Sequence, residues 1–276
     1  MRKTIITTLF ISITTLILAQ NSISILTWNI KDLGRTKDES EIKAISKIMN
    51  EHDLIAIQEI VAKDPAGAQK VAEIADLLNR MGNKWDYRIS NPTNSPSSYI
   101  KERYAYIWKT AKLTQIGGRP YLDESLATIC DREPYIAKFK TKSNEEFYTV
   151  NFHSRPYNKH PDLEIAAFSS YTQKLNSESV VILGDFNMDE EHKVWKGLYQ
   201  QGFKASIYNS PTTLKRKCTA TGAYLNHSID NIYYNSNIFE INNAGRIDFV
   251  GDCSNLERAR SISDHLPVYA ELSFEE

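Results

Sequence analysis

Six segments of this chain run apolar and then meet side chains able to bind a cation, move a proton or hold a phosphate. Asn29 follows ILTW, Glu59 follows LIAIQ, His153 follows TVNF, Asp185 and Asn187 follow VVILG, Asp230 follows SI, and Asp264-His265 precede LPVYAEL. A single Asp or Asn after a strand is ordinarily a turn or a helix cap. Six such ends in one chain point further, because the crevice at the strand ends of an α/β sheet is where ligands collect and where side chains from separate strands converge. The chemistry this set supports is metal-assisted hydrolysis. Oxygen donors without a Cys/His cluster at zinc spacing favour a hard cation, Mg2+ or Mn2+, held by one or two carboxylates with positions left for water and phosphate oxygens. Glu59 leads as the ligand.

Positioning these groups takes strands and helices whose periods can be read directly. ISILTWN (23–29) and DLIAIQE (53–59) predict strands, and between them Ile42, Ile45 and Met49 recur at helical spacing within a helix over 38–51. A second helix is predicted over 65–81, with Val71, Ile74, Ala75 and Leu78 on one face and Pro65 in its first turn. Short β-rich runs follow up to residue 153 (YAYIWK, AKLTQI, PYIAKF, EFYTVNFH), with Gly117-Gly118 as a turn between strands and Ser90–Ser98 as a surface loop. A third helix is expected over 162–175. VVILGD then reads as a strand buried on both faces, and IDNIYY and LPVYAEL add strands near the end. Trp28, Tyr104 and Tyr106 alternate as packing residues do.

At 276 residues, 24% charged and 41% apolar, the chain excludes the fibrous, disordered and multi-span membrane classes. Residues 1–19, a basic start at Arg2 and Lys3 followed by an uncharged apolar run ending at Ala19, have the form of a secretory signal peptide. The expected mature chain is therefore one domain over 20–276, secreted or periplasmic, with 31 basic residues against 34 acidic. That net charge of −3 gives no global positive field, so any contact with nucleic acid must be local.

The segments WN, QE, GDFN, IDNIYY and SDHLPV, in this order, resemble the endonuclease/exonuclease/phosphatase superfamily over almost all of the mature chain. SYIKERYAYIW (98–108) and DREPYIAKF (131–139) look most like its secreted deoxyribonuclease I branch. The resemblance implies a four-layer α/β sandwich of two packed mixed β-sheets flanked by helices, and a Mg2+-dependent, monomeric enzyme that cleaves DNA without a membrane partner. It implies that Asn29, Glu59 and Asp264 surround the metal, that Asp230 pairs with His265 and Glu102 with His153, and that Asp185 and Asn187 orient the attacking water and the scissile phosphate. Arg132 and Tyr99 correspond to substrate contacts, although the match shifts by one residue between Tyr99 and Glu102. Val61 stands where that branch has an arginine, so DNA contacts differ there. The choice of histidine as base, and one metal against two, stay open.

The same superfamily offers a phosphatase or a sphingomyelinase as the alternative, and a binding module with a dead site as a third class. No run of exposed-looking aromatics after Gly184 supplies the apolar hairpin a sphingomyelinase needs, and no motif carboxylate or histidine is replaced. Asp123, Asp131, Glu133, Thr219 and Thr221 carry oxygens that a structural Ca2+ would use. His52, His160, His192 and His227 read as solvated. Of three cysteines, Cys218 and Cys253 precede Asp230 and Asp264 by similar distances, so if those aspartates meet the two cysteines should form a disulfide, leaving Cys130 as a packed thiol.

Overall fold

The computed structural model describes residues 22–275; the expected leader lies outside them. Two six-stranded mixed sheets face each other. The first runs β11 (Phe239–Arg246), β12 (Val268–Phe274), β1 (Ile23–Leu33), β2 (Leu54–Val61), β4 (Glu102–Lys109), β3 (Trp85–Ile89). The second runs β5 (Leu113–Leu122), β6 (Tyr135–Thr141), β7 (Glu146–His153), β8 (Val180–Asp185), β10 (Asp230–Asn235), β9 (Phe203–Ala205). Each sheet has one parallel pair at its centre, β1 with β2 and β7 with β8, and antiparallel neighbours around it. Side chains of both sheets, among them Ile25, Tyr106, Phe139, Leu183 and Ile232, form the inner core.

Helices complete the four layers. α1 (Glu39–Met49) is started by a capping box in which Asp38 accepts from the Glu41 amide and Glu41 accepts from the Asp38 amide. It buries Ile42, Ile45 and Met49 on the first sheet beside α2 (Ala66–Arg80), each buried side chain contributing about 1.5–3 kcal/mol. On the second sheet the expected helix over 162–175 is broken: α3 (Asp162–Ile165) passes into a 3-10 turn, Ala166–Ser170, before α4 (Tyr171–Leu175). The break lets Ile165, Phe168 and Tyr171 all pack inward. Two short helices follow, α5 (Lys196–Tyr199) and α6 (Leu256–Ile262). Among the described residues no helix is long and apolar enough to cross a membrane.

Gly117 and Gly118 do not separate two strands as expected. They lie inside β5, at positive φ, where its register against β6 shifts between Ile116 and Tyr121. Gly184 has a different constraint: a Cβ there would sit 1.8 Å from the Phe152 carbonyl oxygen, so only glycine lets β8 approach β7 just before Asp185.

Candidate active site

The strand directions bring one end of both sheets together. Asn29, Glu59, His153 and Asp185 are carried on the outgoing ends of β1, β2, β7 and β8, while Glu102 and Asp230 open the antiparallel β4 and β10, and Asp264-His265 lead into β12. Glu59 sits at φ +60°, at the register shift of β2 against β4 between Ile57 and Ile60. The bulge turns its carboxylate into the cleft, and a left-handed non-glycine residue at such a place is strain retained for a site.

Asp185 Oδ2 is the hub. It accepts from Asn29 Nδ2 at 3.0 Å, with His153 Nε2 3.5 Å away and His265 Nε2 3.7 Å away. The other ring nitrogens are fixed: His153 Nδ1 lies 3.0 Å from Glu102 Oε2, and His265 Nδ1 lies 2.9 Å from Asp230 Oδ2. Asp230 also accepts from Thr212 Oγ1 at 2.6 Å, and Glu102 pairs with Arg132 Nε at 2.9 Å. Burial works against the charged form of both histidines; for His265, Asp230 and Asp185 outweigh it and push the pKa up to about 10. For His153, Arg132 adds to the burial penalty, yet Glu102 and Asp185 still raise the pKa. Glu102 shows the converse: burial opposes its charge, while His153 and Arg132 hold it below the usual carboxylate range.

One orphaned atom marks the donor set as suited to a divalent ion. Asn29 gives its amide nitrogen to Glu59 Oε1 and Asp185 Oδ2, both at 3.0 Å, which fixes the amide's orientation and leaves its buried Oδ1 without a partner. A buried carbonyl oxygen beside a half-buried carboxylate suits a hard cation. Asp264 Oδ2 is held by Lys31 Nζ and Arg260 Nη2, each at 3.2 Å, which with His265 keeps its pKa low despite burial. Asp185, Asp230 and His265 also cluster within 4.8 Å, but Asp230 spends its oxygens on His265 and Thr212.

Residues 26–265 match the Endonuclease/Exonuclease/phosphatase family. The chain belongs to that family. Its relatives include Deoxyribonuclease-1-like 1 of Sus scrofa, 28% identical over 255 residues that cover 87% of this chain and 77% of the relative. The human Deoxyribonuclease-1-like 1 is 26% identical over 254 residues, covering 87% and 80%. A solved endonuclease/exonuclease/phosphatase family protein of Bacteroides thetaiotaomicron shares the fold at TM-score 0.64 and 15% identity, covering 92% of this chain and 98% of its own. A mannosyl-6-phosphatase of the same organism does so at TM-score 0.63 and 14% identity, covering 91% and 100%. This chain is thus a hydrolase of the endonuclease/exonuclease/phosphatase family.

Arg132 is 7% exposed and bonded to Glu102 and to the carbonyls of Ile100 and Ser154. Arg155 is held by Asp131 and Glu164. Asp123 is ion-paired to Lys174 and accepts from Tyr171, Asp131 is paired with Arg155, and Glu133 accepts from the Asn94 amide. His52 is buried, not solvated, with Nδ1 2.7 Å from Ser24 Oγ. Asn187 adopts φ +49° and gives Nδ2 to the Ser154 carbonyl. Tyr99 is 89% exposed and shares a recess with Glu59, Glu102 and Arg132. Cys218 and Cys253 are disulfide-bonded, and Cys130 is a buried free thiol.

Sequence reasoning missed the supports. Gln58 Nε2 reaches Thr27 Oγ1 at 3.0 Å and Asn151 Oδ1 at 2.6 Å, tying the sheets together behind the site. Ser263 Oγ donates to the Asn29 carbonyl and accepts from the His265 amide. Tyr104, read as packing alone, accepts the His153 amide through its hydroxyl. Lys63 lies 5.9 Å over the Tyr99 ring. The one signal for Gln58 and Asn151 was a polar residue in the middle of an otherwise buried strand.

Proposed function

We propose that this chain is an exported, divalent-metal-dependent endonuclease that hydrolyses DNA phosphodiester bonds with little sequence preference and leaves 5'-phosphate ends. The observation that carries the reading is the convergence of two carboxylate-clamped imidazoles on Asp185 Oδ2, at 3.5 and 3.7 Å, beside the oxygens of Asn29 and Glu59. The Deoxyribonuclease-1-like 1 relatives support DNA as the substrate. The leader supports export into an oxidising compartment, as does a disulfide among three cysteines.

Glu59 and Asn29, with Asp264 nearby in sequence to His265, are the residues that would hold Mg2+ or Mn2+, and the bound ion would offset negative charge on the phosphate. The protein's own groups do the rest. Asp185, with Asn187 at the end of the same β8 segment, orients a water for in-line attack on phosphorus. One imidazole takes the water's proton as the new O–P bond forms; the other gives a proton to the 3'-oxygen as its bond to phosphorus breaks. Glu102 and Asp230 keep each ring in one tautomer and orientation, and the protonated ring's charge faces the growing negative charge. Arg132, Tyr99 and Lys63 border the recess where the strand would lie.

The test is His153→Ala and His265→Ala assayed for plasmid nicking. Each should lower turnover by roughly 10²–10⁴ with KM near the parental value. Glu59→Gln should instead raise the Mg2+ concentration needed for half activity. Near-parental turnover in either histidine variant would remove that residue from the site.

A further inference from the structure

Asn151 is fully buried between the two sheets, on a strand where its neighbours Val150 and Phe152 are apolar. Its amide can be placed atom by atom. The carbonyls of Ile57 and Ala105 only accept, so the atom that reaches them, at 3.2 and 3.4 Å, is the nitrogen Nδ2. That leaves Oδ1 for Gln58, whose Nε2 donates to it at 2.6 Å and to Thr27 Oγ1 at 3.0 Å. Gln58 Oε1 is then buried with no hydrogen-bond partner. Three buried polar side chains, one of them incompletely bonded, stabilise a core poorly, and apolar groups of the same shape can do as well or better. Stability of the fold does not account for them.

The place of the contact does. Ile57 and Ala105 are the last residues of β2 and β4 in register before the shift between Ile57 and Ile60, where Glu59 sits at φ +60°. A bulge interrupts the ladder, and carbonyls at its edge take donors from elsewhere. Here the donor comes from the opposite sheet. On the other side of the bulge the Glu59 amide donates to Glu102 Oε1 at 3.3 Å. Asn151 and His153 are two residues apart on β7 and project to one face. Ile57 and Glu59 are two apart on β2. Two residues beyond the contact of Asn151 with Ile57, on each strand, His153 Nε2 and Glu59 Oε1 stand 4.0 Å apart.

We propose that Asn151 is a positioning residue: it pins the bulge of β2 to β7 and so holds the Glu59 carboxylate in its metal-binding place beside His153. Gln58 acts through Asn151, by turning its amide so that the nitrogen faces the bulge. A left-handed non-glycine residue persists only where its surroundings over-determine it, and without this pin residues 57–60 relax and Glu59 leaves the cleft. The proposal rests on the reading of Glu59 as a metal ligand and adds that the second sheet sets that ligand's geometry.

The experiment compares the parent with Asn151→Leu, Gln58→Met and a packing control, Phe147→Leu, which loses apolar contact between the same sheets near the start of β7. Melting temperatures first establish which variants fold. Three readouts follow: Mn2+ binding without substrate, by electron paramagnetic resonance of the free ion; hydrogen exchange of the amides of residues 58–60; and kcat and KM for plasmid nicking. Asn151→Leu should weaken Mn2+ binding and lower kcat, each by roughly 10–100-fold, with faster exchange and KM near the parental value. Gln58→Met should move the same three readouts by less, and it decides the matter if Asn151→Leu does not fold. Phe147→Leu should lower the melting temperature alone. Parental Mn2+ affinity and exchange in the polar variants, or equal losses in Phe147→Leu, would overturn the proposal, and a parent that binds no Mn2+ would remove it together with the metal reading. If the parent binds Mn2+ but nicks no DNA, the nuclease reading fails separately, and binding and exchange still decide the role of Asn151.

Discussion

Glu102→Gln removes one negative charge from the centre of a buried trio and changes almost no volume. Glu102 lies 2.9 Å from Arg132 Nε and 3.0 Å from His153 Nδ1, and the Arg132 and Glu102 side chains are 8% and 7% exposed. At an effective dielectric of about 20, unit charges roughly 4 Å apart attract by about 4 kcal/mol. Without that attraction Arg132 keeps only the Ile100 and Ser154 carbonyls, and stranding one member of a buried ion pair typically costs about 3–5 kcal/mol. The glutamine can still bond to both neighbours, so the lower end, about 3 kcal/mol, is expected. For a chain of this size that is a fall in Tm of roughly 6–12 °C. Turnover should fall by roughly 10²–10⁴ as His153 loses the negative charge that holds its proton. The double variant Glu102→Gln with Arg132→Met separates the two effects, because it removes the stranded charge without restoring the clamp. Urea unfolding should show most of the stability regained, while plasmid nicking stays low. A double variant as unstable as the single one, or a single variant with parental stability and activity, would refute the reasoning.

Other outcomes follow from residues already placed. Replacing Cys218 or Cys253 by Ser opens a bridge across a sequence separation of 35 and should cost about 3–4 kcal/mol by loop-entropy arithmetic, read from denaturant midpoints; an unchanged midpoint contradicts it. Burial, with Lys109 adding to it, lowers the His52 pKa from 6.5 to about 4. The unfolded chain therefore binds a proton that the folded chain refuses between those values, so stability is full above pH 6.5 and falls by about 1.4 kcal/mol per unit toward pH 4. His52→Gln should flatten that slope in unfolding titrations, and an equal slope in parent and variant would show that another group is responsible. With Arg132 and Arg155 engaged internally, DNA binding rests on a few cations such as Lys63, Lys101 and Arg119. The slope of log affinity against log salt should then be about −2 to −4, and a value near −8 would mean that a large basic surface binds the DNA.

What the chain disclosed about itself depended on how local each signal was. Ile42, Ile45 and Met49 declare α1 because helical period and burial coincide, and VVILGD declares a strand covered on both faces. β11, FEINNAGR, gives no such signal because it is an edge strand with most of its side chains outside the core, and α6 is too short to establish a period. The break between α3 and α4 is set by how Phe168 and Tyr171 fit the second sheet, which no window of sequence contains. In the site, the polar strand ends were visible, but the pairings of Asp230 with His265 and Glu102 with His153 came from family resemblance. Arg132 shows why spacing alone falls short. Its neighbour in sequence is Glu133, yet the fold brings Glu102 to it, and the buried charge goes to the partner the sheets deliver. His52 was misread for the same reason, since its burial comes from β1 and Tyr269, distant in sequence.

One assay of purified mature protein separates a nuclease from a phosphatase or a sphingomyelinase. Supercoiled plasmid is incubated with Mg2+, with and without chelator, beside sphingomyelin and a phosphomonoester in the same buffer. A nuclease gives chelator-sensitive nicking with 5'-phosphate ends and little turnover of the other two substrates. Mg2+-supported hydrolysis of sphingomyelin or of the monoester, with the plasmid left intact, would contradict it.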